Sequence, residues 1–187
     1  MRNANGDVTQ LLQDARNGDR AAFDRIVGLM YDDLRALARS QLRRDFHAGT
    51  LQPTALVHEA FLKLARGSHV DASDRSHLLA LAAHAMRQVL VDRARRRRAA
   101  KRGGEDGWRD VTLGEDHLPS RGLDADDLLA LDEALEQLEP RQRQIVECRF
   151  FAGMTDEEIA AALGITDRTV RREWVKARAR LNRALYG

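Results

Sequence analysis

The sequence predicts an all-α protein of two helical domains joined by a flexible linker, and three observations lead there. Its 187 residues include only 3 Pro, and long stretches are dominated by Ala, Leu and Arg, the strongest helix formers. Apolar residues recur at spacings of three and four through most of the chain, the period of one helix face. Charge is segregated: residues 1–102 hold 19 Lys and Arg against 11 Asp and Glu, residues 103–140 hold 2 against 12, and residues 141–187 hold 10 against 6. Two basic blocks flanking an acidic one fit two modules that face nucleic acid, joined by a segment that avoids phosphate.

The remaining composition narrows the class. The single cysteine, Cys148, excludes an internal disulfide, fits a reducing compartment, and reads as a small buried apolar residue beside Ile145 and Val146. No apolar run approaches the roughly 18 residues of a membrane span, and the N-terminus does not look like a signal peptide, so a cytoplasmic protein is expected.

Taken in order, residues 8–17 form a short amphipathic helix ended by Gly18. From Asp19 a longer helix runs close to Arg44, with Phe23, Ile26, Val27, Met30, Leu34, Leu37 and Ala38 as its core stripe and Gly28 a tolerated weakness. Arg35, Arg39 and Arg43 form a solvated row. After a break at residues 47–50, Thr54 behind Pro53 caps the helix ALVHEAFLKLARG, whose core face is Leu56, Ala60, Phe61 and Leu64. His58-Glu59 invites a metal reading, which fails because no second His stands four residues on; no metal or cofactor is expected. A polar connection at residues 69–76 with Asp71, Ser73 and Asp74 leads into the long helix HLLALAAHAMRQVLVDRARRRRAAKR. Its first half offers Leu78, Leu81, Ala82, Ala85, Met86, Val89 and Leu90 for burial. Its second half sets seven basic residues between Arg93 and Arg102, a density that folding does not need and a phosphate backbone would reward through counterion release.

Residues 103–123 lack a helical period and are rich in Gly and acid, with Trp108, Val111 and Leu113 able to dock locally: a linker. Asp124 opens the second module. Leu128, Leu131, Leu135 and Leu138 mark a helix that stops before Pro140, and Pro140 begins the next, where its missing N–H costs nothing. In that helix, RQRQIVECRFF, Ile145, Val146, Phe150 and the stem of Arg149 face inward. Gly153 closes it.

The following stretch, TDEEIAAALGITDRTVRREWVKARARL, is the most informative in the chain. Thr155 caps a helix with Asp156, Glu157 and Glu158 in its first turn, where the helix dipole favours negative charge, and Gly164 ends it. A second helix opens at Thr166 or Asp167, with Val170, Trp174, Ala177 and Leu181 on its inner face. Arg168, Arg171, Arg172 and Lys176 fall outside. Two helices across a three-residue turn, the second with a basic outer surface, form a helix-turn-helix suited to the major groove.

In combination these features resemble the bacterial sigma-70 family of RNA polymerase sigma factors, in the extracytoplasmic-function (ECF) group that keeps only regions 2 and 4. The strings TLQPTALVHEAFLKL, AMRQVLVDRARRRRAAKRGG and EEIAAALGITDRTVRREWVKARARL are similar to those of one branch of that group, in the same order and spacing. The resemblance implies a region 2-like module over residues 1–102, a linker over 103–123 and a region 4-like module over 124–187. It implies that the helix with Leu56, Val57, His58, Glu59, Phe61 and Lys63 binds the polymerase core at the clamp helices of the largest subunit, while the flap of the second subunit is a further contact. Where the wider group has Asp-Leu-Val-Gln-Glu, this chain has Ala55, Leu56, Val57, His58 and Glu59.

For the −10 element the resemblance implies Asp71, Ser73, Arg75, Arg87, Gln88, Arg93, Arg95 and Arg96, with a base held out of the duplex by the connection at residues 69–75. Related sequences often place Phe where Leu78 and Leu79 stand here. For the −35 element it implies Thr166, Asp167, Arg168, Thr169, Arg171, Arg172 and Lys176 on the recognition helix. Promoter DNA and RNA polymerase core are the implied partners, an anti-sigma protein is a further one, and the linker would permit the hinge motion it needs. No catalytic residue is expected, because phosphodiester chemistry belongs to the polymerase. The rival readings are a conventional helix-turn-helix regulator of duplex DNA, which lacks an evident dimerisation or sensor motif here, a metal-dependent hydrolase using His58, Glu59 and His84, and an adaptor.

Overall fold

The computed structural model describes residues 4–17, 19–44, 51–66, 72–100 and 125–186, and every regular element among them is helical. In order these are α1 (Ala4–Arg16), α2 (Arg20–Arg44), α3 (Pro53–Arg66), α4 (Arg75–Ala100), α5 (Ala125–Glu136), α6 (Pro140–Val146) with a π-helical continuation (Glu147–Phe151), α7 (Asp156–Leu163) and α8 (Asp167–Tyr186). The proposed linker, its Trp108, Val111 and Leu113, the break at 47–50 and Asp71 lie outside the described residues, as does the side chain of Phe23.

Local chemistry sets the helix starts. Asp19 Oδ1 accepts the amide hydrogens of Ala21 and Ala22, capping α2. Asp74 does the same for α4 through His77 N at 2.9 Å. Thr54, expected as a cap, instead sits inside α3: Pro53 takes the first helical position, where a residue without an N–H loses nothing. At α7 the capping box is complete, with Thr155 Oγ1 accepting from Glu158 N at 3.3 Å and Glu158 Oε2 accepting from Thr155 N at 2.9 Å. Gly164 closes α7 at φ 63°, a left-handed conformation that a side chain would strain.

The helix expected across 141–151 departs from α-geometry. From Glu147 the backbone widens to a π-turn, with Ala152 N donating to Glu147 O at 3.2 Å. The wider turn distributes consecutive side chains between two cores. Phe150 and Phe151 join one, meeting edge to face at 5.0 Å, while Cys148 joins the other with Ile145, Met154, Ile159, Ala162 and Val170. Cys148 is therefore the buried apolar residue the sequence predicted, and burial pushes its thiol up to about 12.

α4 is the central element. Leu78, Ala82, Ala83, Ala85, Met86, Val89, Leu90, Val91 and Ala94 are all buried, so its apolar surface runs around the helix instead of forming a stripe. It packs against α1, α2 and α3 on one side and against α5, the π-turn and α7 on the other. The larger core is continuous across this helix, joining Ile26, Met30, Leu56 and Met86 to Leu128, Leu135, Phe150 and Phe151. Gln41, itself buried, pins the junction: its Nε2 donates to Ala83 O at 3.1 Å and to Phe151 O at 3.4 Å.

Candidate nucleic-acid and polymerase interfaces

The helix-turn-helix is built from its inner face outward. Val170, Ala177 and Leu181 of α8 are buried and Trp174 is half-buried, so the spacing read from the sequence is the face that packs. Arg149 fastens the π-turn to both helices: its guanidinium lies 4.8 Å from the Trp174 ring centroid and pairs with Asp156 at the start of α7. Gln142 on α6 adds a polar tie, donating to Glu173 Oε2 at 3.0 Å and accepting from Arg180 at 3.0 Å. α8 is thereby fixed in rotation.

The outer surface of α8 carries the residues proposed for base and phosphate contact. Thr166, Arg168, Arg171, Arg172 and Lys176 are exposed, and Asp167 and Thr169 are half-buried. Thr166 is the N-cap, accepting from Thr169 N at 3.2 Å, while the two hydroxyls lie 3.0 Å apart. Arg171 pairs with Asp167 one turn back, and Glu173 pairs with Arg172 at 3.1 Å and Lys176 at 3.0 Å. The Gln142 amide, with Lys176 and Arg172, holds the Glu173 carboxyl down to about 2, so it stays ionised. One neighbour was missed from the sequence: Val175, 61% exposed, stands on the same outward face as Arg168, Arg171 and Arg172. An apolar residue at one-turn spacing from exposed arginines was the signal.

α3 divides differently from the expectation. Leu56 and Val57, assigned to polymerase contact, are buried and belong to the core, because their face of the helix packs on the bundle. His58 and Leu62 point outward instead, Leu62 being 55% exposed, with Glu59, Phe61 and Lys63 half-buried beside them. Two of these are tied to α4: Lys63 Nζ lies 2.6 Å from Asp92 and Glu59 lies 3.0 Å from Arg93.

The residues assigned to the −10 element are the most altered by the fold. Ser73 is exposed and Arg75, Gln88 and Arg93 are half-buried, Arg75 pairing with Asp33 of α2 at 2.6 Å. Arg95 and Arg96 are exposed, and Arg95 pairs with Asp132 of α5 at 3.1 Å. Arg87 is 0% exposed and cannot reach a phosphate here. It pairs with Asp132 on α5 and with Glu147 Oε1 at 2.8 Å, and its guanidinium lies 5.7 Å from the Phe151 ring centroid. His84 Nδ1 and Arg143 Nε also approach Glu147, at 2.9 and 3.2 Å. Burial alone would raise the Glu147 pKa, but the His84 hydrogen bond and charge, the Arg87 charge and the Arg143 hydrogen bond together lower it below the ordinary carboxylate value.

This arrangement, two basic helical surfaces with the second on a helix-turn-helix, coincides with a match of the ECF sigma factor family model to residues 5–187. The chain belongs to the ECF sigma factor family. A curated relative, the ECF RNA polymerase sigma factor SigK of Mycobacterium ulcerans (strain Agy99), is 28% identical over 168 residues, covering 88% of this chain and 86% of SigK. Two solved structures are also similar. CnrH in complex with the cytosolic domain of CnrY is 22% identical at a TM-score of 0.41, covering 96% of this chain and 97% of that one. The sigma factor RpoE in complex with the anti-sigma factor NepR from Bartonella quintana is 21% identical at 0.37, covering 87% and 96%. This sigma factor therefore has an alternative-sigma role in transcription initiation, in a family of transcription regulators and not of enzymes. No described helix of it is long and apolar enough to cross a membrane.

Proposed function

We propose that this sigma factor binds RNA polymerase core and directs it to promoters with a −35 element read by α8 and a −10 element engaged and opened by α4 and the connection before it. The observation that carries the reading is the rigidly backed basic face of α8. Exposed Arg168, Arg171 and Arg172 suit guanine edges or phosphates, and Val175 suits a thymine methyl group. Core binding falls to the outward face of α3, where exposed Leu62 beside His58 gives the apolar centre that a protein interface needs, with Glu59, Phe61 and Lys63 at its rim. Leu56 and Val57 support that face from below. Arg93, Arg95 and Arg96 are the cations offered to the −10 region. An anti-sigma protein as a further partner belongs to the same reading, as the family resemblance implies.

Single-round transcription tests this directly: purified chain with bacterial core polymerase on a pool of genomic promoter fragments, against core alone. Initiation only in the presence of the chain, with start sites sharing two spaced elements, is the expected result. A chain that shifts duplex DNA but neither associates with core nor directs initiation would overturn the reading in favour of a conventional regulator. Leu62→Asp is expected to weaken core binding by about 2 kcal/mol or more, the scale of an interface hot spot, without loss of helix content.

A further inference from the structure

We infer that the acidic face of the C-terminal segment, formed by Asp126 and Asp132 of α5 with Glu147 of the π-turn, is an intramolecular stand-in for DNA phosphate that latches onto α4 and keeps the free chain closed. This inference rests on the proposal that the basic end of α4 meets promoter DNA. The row is continuous along α4. Arg87 meets Asp132 and Glu147, His84 meets Glu147, Arg95 meets Asp132, and Arg98 Nε lies 3.7 Å from Asp126. Every one of these pairs joins α4 to residues that follow the 103–123 segment in sequence.

The row is graded from a buried end to an exposed one. Arg87, Asp132 and Glu147 are buried, so water and salt screen them weakly, while the Arg95 and Arg98 side chains are largely exposed and their pairs are easily exchanged. Asp132 spans the gradient, giving one oxygen to Arg87 and the other to Arg95. A phosphate backbone approaching α4 would compete first at Arg98 and Arg95. Giving up Asp132 there loosens the buried pair beneath. The apolar contacts of Leu128, Leu135 and Phe151 against α4 hold the same closure, so DNA alone opens it poorly and a further binding event, such as docking on polymerase, is needed to separate the segments.

The test compares the intact chain with Asp132→Asn/Glu147→Gln and with Asp126→Asn. Spin labels are placed on cysteines introduced at exposed Asp24 on α2 and Arg183 on α8, for an electron-paramagnetic distance measurement; the buried Cys148 thiol does not compete for label. A fluorescent 20-base-pair duplex of scrambled sequence reports DNA affinity against salt. The intact chain is expected to give one narrow distance. The double variant should give a longer, broader distribution, about tenfold tighter duplex binding and a salt slope steeper by about two, as two or three released cations require. Asp126→Asn, which leaves the buried pairs in place and so keeps the fold, should tighten binding by about two- to threefold. An intact chain that is already broad in distance, or variants of retained helix content with unchanged distance and affinity, would overturn the latch. Transcription with core separates this from the functional reading. If both chains initiate with equal affinities and distances, the latch alone fails; if opening tightens DNA binding but neither chain initiates, the sigma mechanism alone fails.

Discussion

α4 and α8 are both arginine-rich helices with a basic surface, yet the fold treats them in opposite ways. On the outward face of α8 the carboxylates that answer the cations lie within one turn on the same helix, Asp167 for Arg171 and Glu173 for Arg172 and Lys176. The cations of these pairs are exposed even though the Glu173 carboxylate is largely covered, so the pairs are worth little and leave the cations open to exchange with DNA. On α4 the answering carboxylates come from other helices, Asp33 of α2 for Arg75, Glu59 of α3 for Arg93, and Asp132 and Glu147 for Arg87, which is completely buried. Such a pair is held by weakly screened attraction that the cost of desolvation largely offsets: it is a weak source of net stability, but removing one member strands the others. Arginine density marks both helices as basic. The address of the carboxylate decides which one is available.

The largest effect that would break this contrast is expected at Arg87. Arg87→Ala removes the buried cation shared by Asp132 and Glu147, leaving Asp132 with exposed Arg95 and Glu147 with His84 and Arg143, and should cost about 3 kcal/mol, read as a drop in urea midpoint. An Arg171→Ala control should stay within about 0.5 kcal/mol. The same network carries a pH dependence. Because the Glu147 pKa is lowered in the folded state, its contribution is present above the ordinary carboxylate value and is lost as pH falls through the folded one. Stability of the intact chain should therefore fall on acidification through about pH 4.3, where an unfolded Glu is half protonated, and onward through the lower folded value. Glu147→Gln, starting lower, should show a shallower acid slope in the same urea series; an equal slope would place the titration elsewhere.

On α8 the expected effects shift from stability to binding. Arg168→Ala should leave the urea midpoint nearly unchanged but weaken binding to the matched −35 duplex by about 1 to 3 kcal/mol if it reads guanine, with discrimination relaxed at one base pair. A uniform loss across sequences with a shallower salt slope would reassign it to phosphate. The smallest change is expected from Glu173→Gln, which frees Arg172 and Lys176 from their intrahelical partner. Non-specific duplex binding at low salt should tighten by about 0.5 to 1 kcal/mol, measured by fluorescence polarisation. No change would mean that those pairs already exchange freely.

Much of this was legible in the residues. The inner face of α8, the Thr155 cap and the Gly164 stop followed from spacing and from the few residue types that terminate helices, and the structure has them where the sequence predicted. The acidic stretch was read as a segment that avoids phosphate, whereas its helical end, Asp126 and Asp132, pairs with the basic run of α4. Leu56 was read from its spacing as core and is buried, as is Val57, so the polymerase contact that the resemblance implied for both falls on the inner face; a helix with apolar residues on more than one side offers two possible inner faces, and only the neighbours choose between them. The π-turn left no signal, since one extra residue in a turn changes neither composition nor period over so short a span.

The sequence by itself determined which segments are helical, where the helix-turn-helix begins and ends, and that two basic surfaces exist, because periodicity, caps and charge density are properties of neighbours along the chain. Tertiary structure alone decided that α4 is the centre of the core, that Val57 is buried while Leu62 faces outward, and that Arg87 answers Asp132 and Glu147 instead of phosphate. Those outcomes depend on side chains 45 and 60 residues away. Which of many available carboxylates an arginine meets is fixed only when the apolar faces between them have packed.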